Sequence, residues 1–461
     1  MTLIGTETEY GVTATGRPDL DAHAVSALVV EACGVAATPV VEDSRHRMLG
    51  NGARLYVDHG HPEYAGPETT SPRDALVWEL AGDRIVADAA HAASAVLGSQ
   101  VRVFKNNTDG KGQSYGYHEN VLLRRATPWA LVEAALPALL VTRVVLAGAG
   151  RVGLGAASEG SGFQLSQRAD FFERVTGLDT TRRRGIVNTR DEPLALPRSF
   201  RRLHVIAGDA TRSPFATWLK LGVLALCLAA LEENQLPVVE LADPVGAFRA
   251  ISRDTACTAT VPLASGGAET AVGIQSRFLD SCDAYADRHA FPESDAVLRA
   301  WAEVLDALRA DPMTLADRLD WVAKLALLEG YRARDGLGWE HPKLAQVDLA
   351  WAQLEAGGVV ERLQRAGRLA PGPSEADVAA AMVEPPEDTR AHTRGRWVAD
   401  HGASIVAAGW DSLLVRDSAR ALHTLGMPDP YGWPAGSYER GADVDRLIRQ
   451  HRGARWPRAE A

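Results

Sequence analysis

The sequence predicts an α+β protein built on an antiparallel sheet, and three observations carry that prediction. Short segments of alternating polarity are concentrated before residue 207. Two stretches, Pro128–Leu146 and Pro214–Glu232, are apolar on every side and so belong behind a sheet. From Asp295 to Ala356 the pattern is helical and rich in tryptophan. Strands first and helices afterwards is the α+β order, not the alternation of a parallel sheet.

Taken in order, Leu3–Val12 alternates as a strand and places Glu7 and Glu9 on one face, because residues i and i+2 point the same way. Asp21–Cys33 reads as a helix and Ala53–Val57 as a second strand. Ser71–Leu97 has a helical period and opens on Ser-Pro-Arg-Asp, a capping residue with proline at the first helical position. Val101–Phe104, Val121–Leu123 and His204–Ile206 are further short strands. Pro371-Gly372-Pro373 and Pro385-Pro386 punctuate the chain after its helical half. A boundary near residue 375 follows, with a large domain over 1–375 and a small C-terminal domain over 376–461.

Composition narrows the classes. Apolar residues make up 46% and charged residues 23%, the balance of a soluble globular chain. No apolar run reaches the roughly 18 residues of a membrane span without a charge or proline, and no basic, apolar leader opens the chain. A cytoplasmic protein without a membrane partner is expected, and a monomer. The formal net charge of −10 argues against a nucleic-acid partner. A local basic cluster, Arg182-Arg183-Arg184 with Arg201-Arg202, reads as a solvated face or as a docking patch for an acidic partner. The four cysteines show neither a C-x-x-C pair nor a metal spacing, so a disulfide framework or zinc site is not expected. Cys227, in an apolar helix, reads as a core residue.

Four polar clusters sit at strand ends. Glu7-Thr8-Glu9 is either an exposed sheet face or a pair of carboxylates around a cation, and carboxylate oxygen is the ligand magnesium prefers. Arg54, Tyr56 and Asp58 alternate along one strand face, and Glu63 and Glu68 follow after the turn. Several acids against one arginine suit a magnesium–nucleotide site, with Arg54 for bidentate phosphate contact; Asp58 alone is equally a capping aspartate. Lys105–Gly112 and Ser114–Asn120 form a glycine-rich corner around His118, without the Walker spacing. Arg168, Arg190, Arg202 and His204 sit in separate basic corners, where each arginine is an anion ligand or a surface ion pair. Together the clusters favour phosphoryl or carboxyl chemistry over redox or serine-nucleophile chemistry.

These motifs resemble a known family. I-G-T-E-T-E-Y-G, N-G-A-R-L-Y-V-D, H-P-E-Y, K-N-N-T-D-G-K-G, S-Y-G-Y-H-E-N, F-Q-L-S-Q-R, N-T-R-D-E-P and R-R-L-H-V-I, with D-W-V-A-K-L, H-P-K-L-A-Q-V-D-L and P-P-E-D-T-R further on, resemble the Pup ligase and Pup deamidase/depupylase family over nearly the whole chain. The resemblance implies a glutamine synthetase-like fold with a curved antiparallel sheet backed by helices. It implies ATP and Mg2+ as cofactors and Pup, the disordered acidic tag of actinobacterial proteasomal degradation, as partner. Val57-Asp58-His59, Asp109–Gly112, Gly162–Phe171, Thr176–Thr181 and Trp410-Asp411-Ser412 are spelled like the deamidase branch. That branch converts the C-terminal Gln of Pup to Glu and removes Pup from tagged lysines by isopeptide hydrolysis, with ATP as a cofactor that is not consumed each turnover. The alternative is a Pup–protein ligase that forms the isopeptide bond with ATP hydrolysis.

Carried over motif by motif, the resemblance implies Asp58 as catalytic aspartate, base or nucleophile at the amide carbon. It implies Glu7, Glu9, Tyr56 and Glu63 as magnesium ligands and Arg54 and Trp410 as nucleotide contacts. His118, Arg168, Arg190, Arg202 and His204 would hold phosphates or the Pup terminus, and Arg182–Arg184 part of a basic rim for Pup. Two departures stand out: the connection before Asn51 is shorter than the deamidase branch usually carries, and Leu194-Ala195-Leu196 stands where the family has a polar H-A-D.

Overall fold

The computed structural model describes residues 2–39 and 45–453. Its centre is an open six-stranded antiparallel sheet. Across the sheet run Phe200–Val205, Tyr117–Arg124, Ile4–Glu9, His61–Ala65, Arg54–Asp58 and His46–Met48. The α+β prediction therefore holds, and the first strand of the chain lies in the interior of the sheet. Its register sets the face: Glu7 lies opposite His118 on one side and Ala65 on the other, and Glu9 lies opposite Glu63.

Strand alternation divides this sheet into a dry and a polar face. Val121, Leu123, Leu203 and Val205 point backwards into a core that includes the helices Trp129–Thr142 and Pro214–Glu232. Leu55 and Tyr64 join a second core with the helices Ala22–Glu31 and Pro72–Leu97. Pro214–Glu232 is 19 residues long and apolar enough to cross a membrane by length and composition, longer than the uninterrupted run read from the sequence. It is buried between protein layers, which is what an all-apolar helix surface requires. Cys227 lies within it and meets Cys282 at 3.6 Å; all four cysteines are free thiols.

The elements depart from expectation in three places. The expected strand Leu3–Val12 ends at Glu9, and Gly11–Ala14 leaves the sheet to pair with Val101–Phe104. The turn is fixed by buried Tyr10, whose hydroxyl donates to Asp83 at 2.8 Å. The helix expected over Pro128–Leu146 runs through Pro137 but stops at Thr142, and a short turn, Val144–Ala147, follows. Between them Arg143 sends its guanidinium under the sheet to Glu119, at 2.7 and 2.9 Å. Lys105, in the polar corner, faces away from the site: it is buried between Glu79 and Asp83 of the Pro72–Leu97 helix, at 2.8 and 2.9 Å.

The helical half contains Ser294–Ala310, Asp320–Asp335 and Pro342–Ala352, anchored by the buried Trp301, Trp321 and Trp351. Beyond it, Glu375–Ala381 packs Val378 and Ala381 against Val77 and Ala81 of the long helix. The last stretch forms the helix Arg390–His401 and a three-stranded antiparallel sheet, Ile405–Ala408, Ser412–Arg416 and Leu422–Gly426. Its own core, around Trp397, Leu413, Val415 and Leu425, is capped from the main sheet by Met48. The short connection before Asn51 passes through residues 40–44, outside the described residues.

Glu119 and Arg143 are both buried, so removing one partner strands a charge. Arg143→Ala is expected to lower unfolding stability by about 3–5 kcal/mol, measured by urea denaturation. A loss below 1 kcal/mol would show that this pair does not hold the layers together.

Candidate active site

The polar face of the sheet forms the floor of an open cleft of about 1260 Å³. The twelve residues to which the resemblance gives a catalytic, metal, nucleotide or phosphate role line it: Glu7, Glu9, Arg54, Tyr56, Asp58, Glu63, His118, Arg168, Arg190, Arg202, His204 and Trp410. The strands supply most of them by register alone. Arg54, Tyr56 and Asp58 alternate on one strand, and Tyr56 lies opposite Glu63. His204 lies opposite Asn120, which neighbours Gly5 across the next strand pair.

Two donor groups emerge on this floor. Glu9, Asp58 and Glu63 bring their oxygens within 4.8 Å of one another, and Glu7, His118 and His204 do the same with oxygen and imidazole nitrogen. An all-oxygen trio suits a hard divalent ion. Glu63 is buried, and burial with the neighbouring Glu7 and Glu9 charges pushes its carboxyl well above the usual carboxylate range. A cation among these oxygens reverses that shift by favouring the charged form. Tyr56 donates its hydroxyl to Glu63 at 2.5 Å and carries the Arg54 guanidinium over its ring at 4.6 Å.

Burial alone would also raise Glu7. The hydrogen bond to His118 Nδ1 at 3.0 Å and the nearby positive charge of Arg202 at 3.6 Å outweigh it and hold the carboxyl down. His204 is pushed well below the usual histidine range by burial and by the cationic groups around it, so it is neutral. Its Nδ1 and the Arg202 guanidinium share Asn120 Oδ1, at 2.8 and 2.9 Å. Asp58 sits at the open end, its carboxylate 2.8 Å from His59 Nδ1 and its side chain 38% exposed, so it faces the solvent side of the cleft. Gly116 is required beside the acids, since a β-carbon there would meet Glu9 Oε1 and His118 Nε2 at 2.4 Å.

Some expectations change. Glu68, read as one more acid of the site, lies partly buried between Arg390 and Arg394 of the helix Arg390–His401, at 2.8 and 2.5 Å. The basic run divides: Arg182 and Arg183 are exposed while Arg184 is buried. Arg201 stacks over Trp129 outside, whereas Arg202 enters the site. Glu119, next to His118, points to the opposite face, as strand alternation demands. Sequence reading passed over three contributors. His61 lies 3.6 Å from Glu9, and Asn120 orients His204; strand alternation marked both. Arg394 donates to the Trp410 carbonyl at 2.8 Å and lies under its ring at 4.8 Å, and nothing local in the sequence signals that.

An open antiparallel sheet carrying these acids and cations, backed by helices, defines a glutamine synthetase-like protein. The chain belongs to the family described as Pup-ligase protein, whose model matches residues 2–414. It is 45% identical to the depupylase of Acidothermus cellulolyticus, over 92% of this chain and 93% of that protein. It is 42% identical to the Pup deamidase/depupylase of Mycolicibacterium smegmatis, over 89% and 91%. It is 38% identical to the Pup–protein ligase of Acidimicrobium ferrooxidans, over 97% and 98%. Among solved structures it resembles the Pup ligase PafA in complex with Pup, at a TM-score of 0.85 and 32% identity over 98% and 92%. It also resembles PafA in complex with ADP, at 0.79 and 34% over 88% and 90%.

The Glu68 carboxyl, for all its burial, is held down to about 2 by Arg394 and Arg390. A depressed carboxyl stabilises above its unfolded value, near 4.5, and that contribution fades as pH falls toward 2. Glu68→Gln is expected to cost about 3–5 kcal/mol at neutral pH, with the difference from the parent protein shrinking below pH 4.5. Equal urea midpoints at pH 7 would refute the bridging role.

Proposed function

We propose that this protein is a Pup deamidase and depupylase that uses ATP and Mg2+ as cofactors. It converts a C-terminal glutamine of Pup to glutamate and hydrolyses the isopeptide bond between Pup and a tagged lysine. The carrying observation is the cleft itself, where an accessible Asp58 stands beside Glu9 and Glu63 at one end of a floor of acids and cations. Identity supports the hydrolytic direction: 45% and 42% to proteins named depupylase and deamidase, against 38% to a protein named ligase. The likeness to a ligase bound to ADP supports a nucleotide in the same cleft.

In this reading Glu7, Glu9, Glu63 and the Tyr56 phenol would hold magnesium, which would supply positive charge against a developing oxyanion. Arg54, Arg190, Arg202, His118 and His204, which line the cleft, would bind the phosphates, and Trp410 would contact the nucleotide. Asp58 acts at the amide carbon as base or nucleophile. Residues 1–375 then form the catalytic body, and residues 376–461 the unit that brings Trp410 over the sheet. Leu194 and Ala195 line the small apolar cavity beside Glu7 and Trp410, so the change from H-A-D leaves an apolar wall there.

The test follows intact Pup mass and nucleotide together, with Pup ending in glutamine, ATP and magnesium. The mass change of an amide becoming an acid, with far less ATP turned over, is expected. Pup-Gln untouched while Pup-Glu joins a lysine with matching ADP release would make the protein a ligase instead. Asp58→Asn is expected to lower turnover by about 10²–10⁴-fold, and an unchanged rate would sink its catalytic role. Glu63→Ala should raise the magnesium needed for half-maximal activity by on the order of tenfold or more; an unchanged titration would remove it from the metal site.

A further inference from the structure

The Lys105-Asn106-Asn107 corner borders the cleft, where Asn106 lines the wall, but the Lys105 side chain turns to the dry face and forms the centre of a buried bridge. Its ammonium donates to Glu79 Oε1 at 2.8 Å and to Asp83 Oδ2 at 2.9 Å. The two acids stand one turn apart on the helix Pro72–Leu97, so they share a face. Each offers its second oxygen to a phenol: Glu79 Oε2 accepts from Tyr117 and Asp83 Oδ1 from Tyr10, both at 2.8 Å. Tyr10, Asp83, Lys105, Glu79 and Tyr117 therefore form one continuous chain of hydrogen bonds, and every member is buried. Lys220 adds a second ammonium 3.5 Å from the centre of the Tyr117 ring. Burial alone would raise the Glu79 carboxyl, but the charges of Lys105 and Lys220 outweigh it and hold the acid below its ordinary value, so the bridge is ionic.

The ends of this chain adjoin the acids of the cleft. Tyr10 follows Glu9, and Tyr117 precedes His118. Strand alternation puts each phenol on the dry face and its neighbour on the polar one. Glu9 is the last residue of its strand, so the sheet ladder stops at the residue that carries the carboxylate. Its amide donates to Gly116 O at 3.0 Å, beside Tyr117, and the Tyr10 amide donates to Pro62 O at 3.0 Å, beside His61. Glu9 is thus held between two backbone segments, and one end of the bridge reaches each of them from behind. His118 in turn holds Glu7 at 3.0 Å. The distance between the two phenols then sets how Glu9 stands relative to the His118–Glu7 pair. Burying two acids and an ammonium is a costly way to join a helix to a sheet, because packed apolar residues would join them without desolvating charge. What a fully satisfied buried network adds is rigidity and a single arrangement.

We propose that Lys105 is a positioning residue for the metal-facing acids: through Asp83 and Glu79 it clamps the phenols of Tyr10 and Tyr117, and so sets Glu9 and His118 on the opposite face of the sheet. The inference rests on the metal role proposed above for Glu9 and deepens it. Lys105 touches neither substrate nor metal. It acts through the strands, and the long helix Pro72–Leu97 becomes the rigid rod against which the two strands are gauged. Groups that orient a metal ligand from behind are worth roughly 10–100-fold in metal affinity.

The test uses Mn2+ as the probe, with its binding to the intact protein followed by electron paramagnetic resonance and no substrate present. Tyr10→Phe and Tyr117→Phe each remove one hydroxyl and keep the ring, so neither empties the core. Each is expected to raise the Kd for Mn2+ on the order of tenfold. Lys105→Met, which breaks both arms of the bridge, should raise it at least as far. Trp301→Phe, a cavity in the helical half outside the bridge, supplies the comparison: it should lower the melting temperature and leave the Kd for Mn2+ at the parent value. Phenol variants that bind Mn2+ as the parent does would overturn the inference. So would a Trp301→Phe protein weakened as much as they are, since loosening anywhere would then suffice. A parent protein that binds no Mn2+ would defeat the metal reading of the cleft itself, and the positioning role with it.

Discussion

The arrangement depends on one electrostatic constraint, the crowding of Glu7, Glu9 and Glu63 on neighbouring positions of a half-dry sheet. Register leaves no alternative. Glu9 faces Glu63 across a strand pair, and Glu7 is two residues away on the same face. Like charges directly opposite each other destabilise a sheet, and burial sharpens the repulsion. The structure answers with unequal protonation, Glu7 kept charged by His118 and Arg202 and Glu63 pushed toward its neutral form. A sheet face this hostile to its own folding is not what stability alone selects, and strain of that kind collects at functional sites. The dry face makes it tolerable, because the two cores behind it hold the strands in place whatever the front demands.

A second constraint ties the C-terminal unit to that face. Glu68 follows the strand His61–Ala65, and its partly buried carboxylate bridges the buried Arg390 and Arg394. Arg394 also donates to Gly52 O at 2.7 Å and supports Trp410 from below. The acid that looked like a further metal ligand is therefore the joint through which a distant indole is placed over the sheet. Its charge is fully matched, in contrast to the acids of the cleft, and that difference separates a structural carboxylate from a chemical one.

This contrast also explains what the sequence did and did not reveal. Period-two alternation placed Glu7 with Glu9 and Arg54 with Tyr56 and Asp58, and the structure keeps both sets on one face. The capped helix Pro72–Leu97 was legible from Ser71 and Pro72. Pairing between strands was not, since nothing in Gly11–Ala14 signals that it leaves the main sheet for Val101–Phe104. Charge roles were equally hidden: Lys105, Glu68 and Glu119 read like site residues, and each is matched by a counter-charge far away in sequence. Local pattern fixes which way a side chain points, while the partner it meets is a property of the whole fold.

On the proposed reading, making and breaking the same amide bond pass through related geometries, so the sheet face has no reason to differ between a ligase and a hydrolase. Direction must then be set by what reaches the amide carbon. Here that access is controlled by the hairpin carrying Asp58 and His61, with His59 at a positive φ of 45° and largely exposed at its tip. Asp58 borders solvent on one side and Glu9 and Glu63 on the other. Water therefore competes directly with any incoming amine at this position, and an enzyme that joins chains would have to exclude it. On the same proposed reading, the open rim around Asp58 is the feature that favours hydrolysis over joining, because it admits water to the position an amine would have to hold alone.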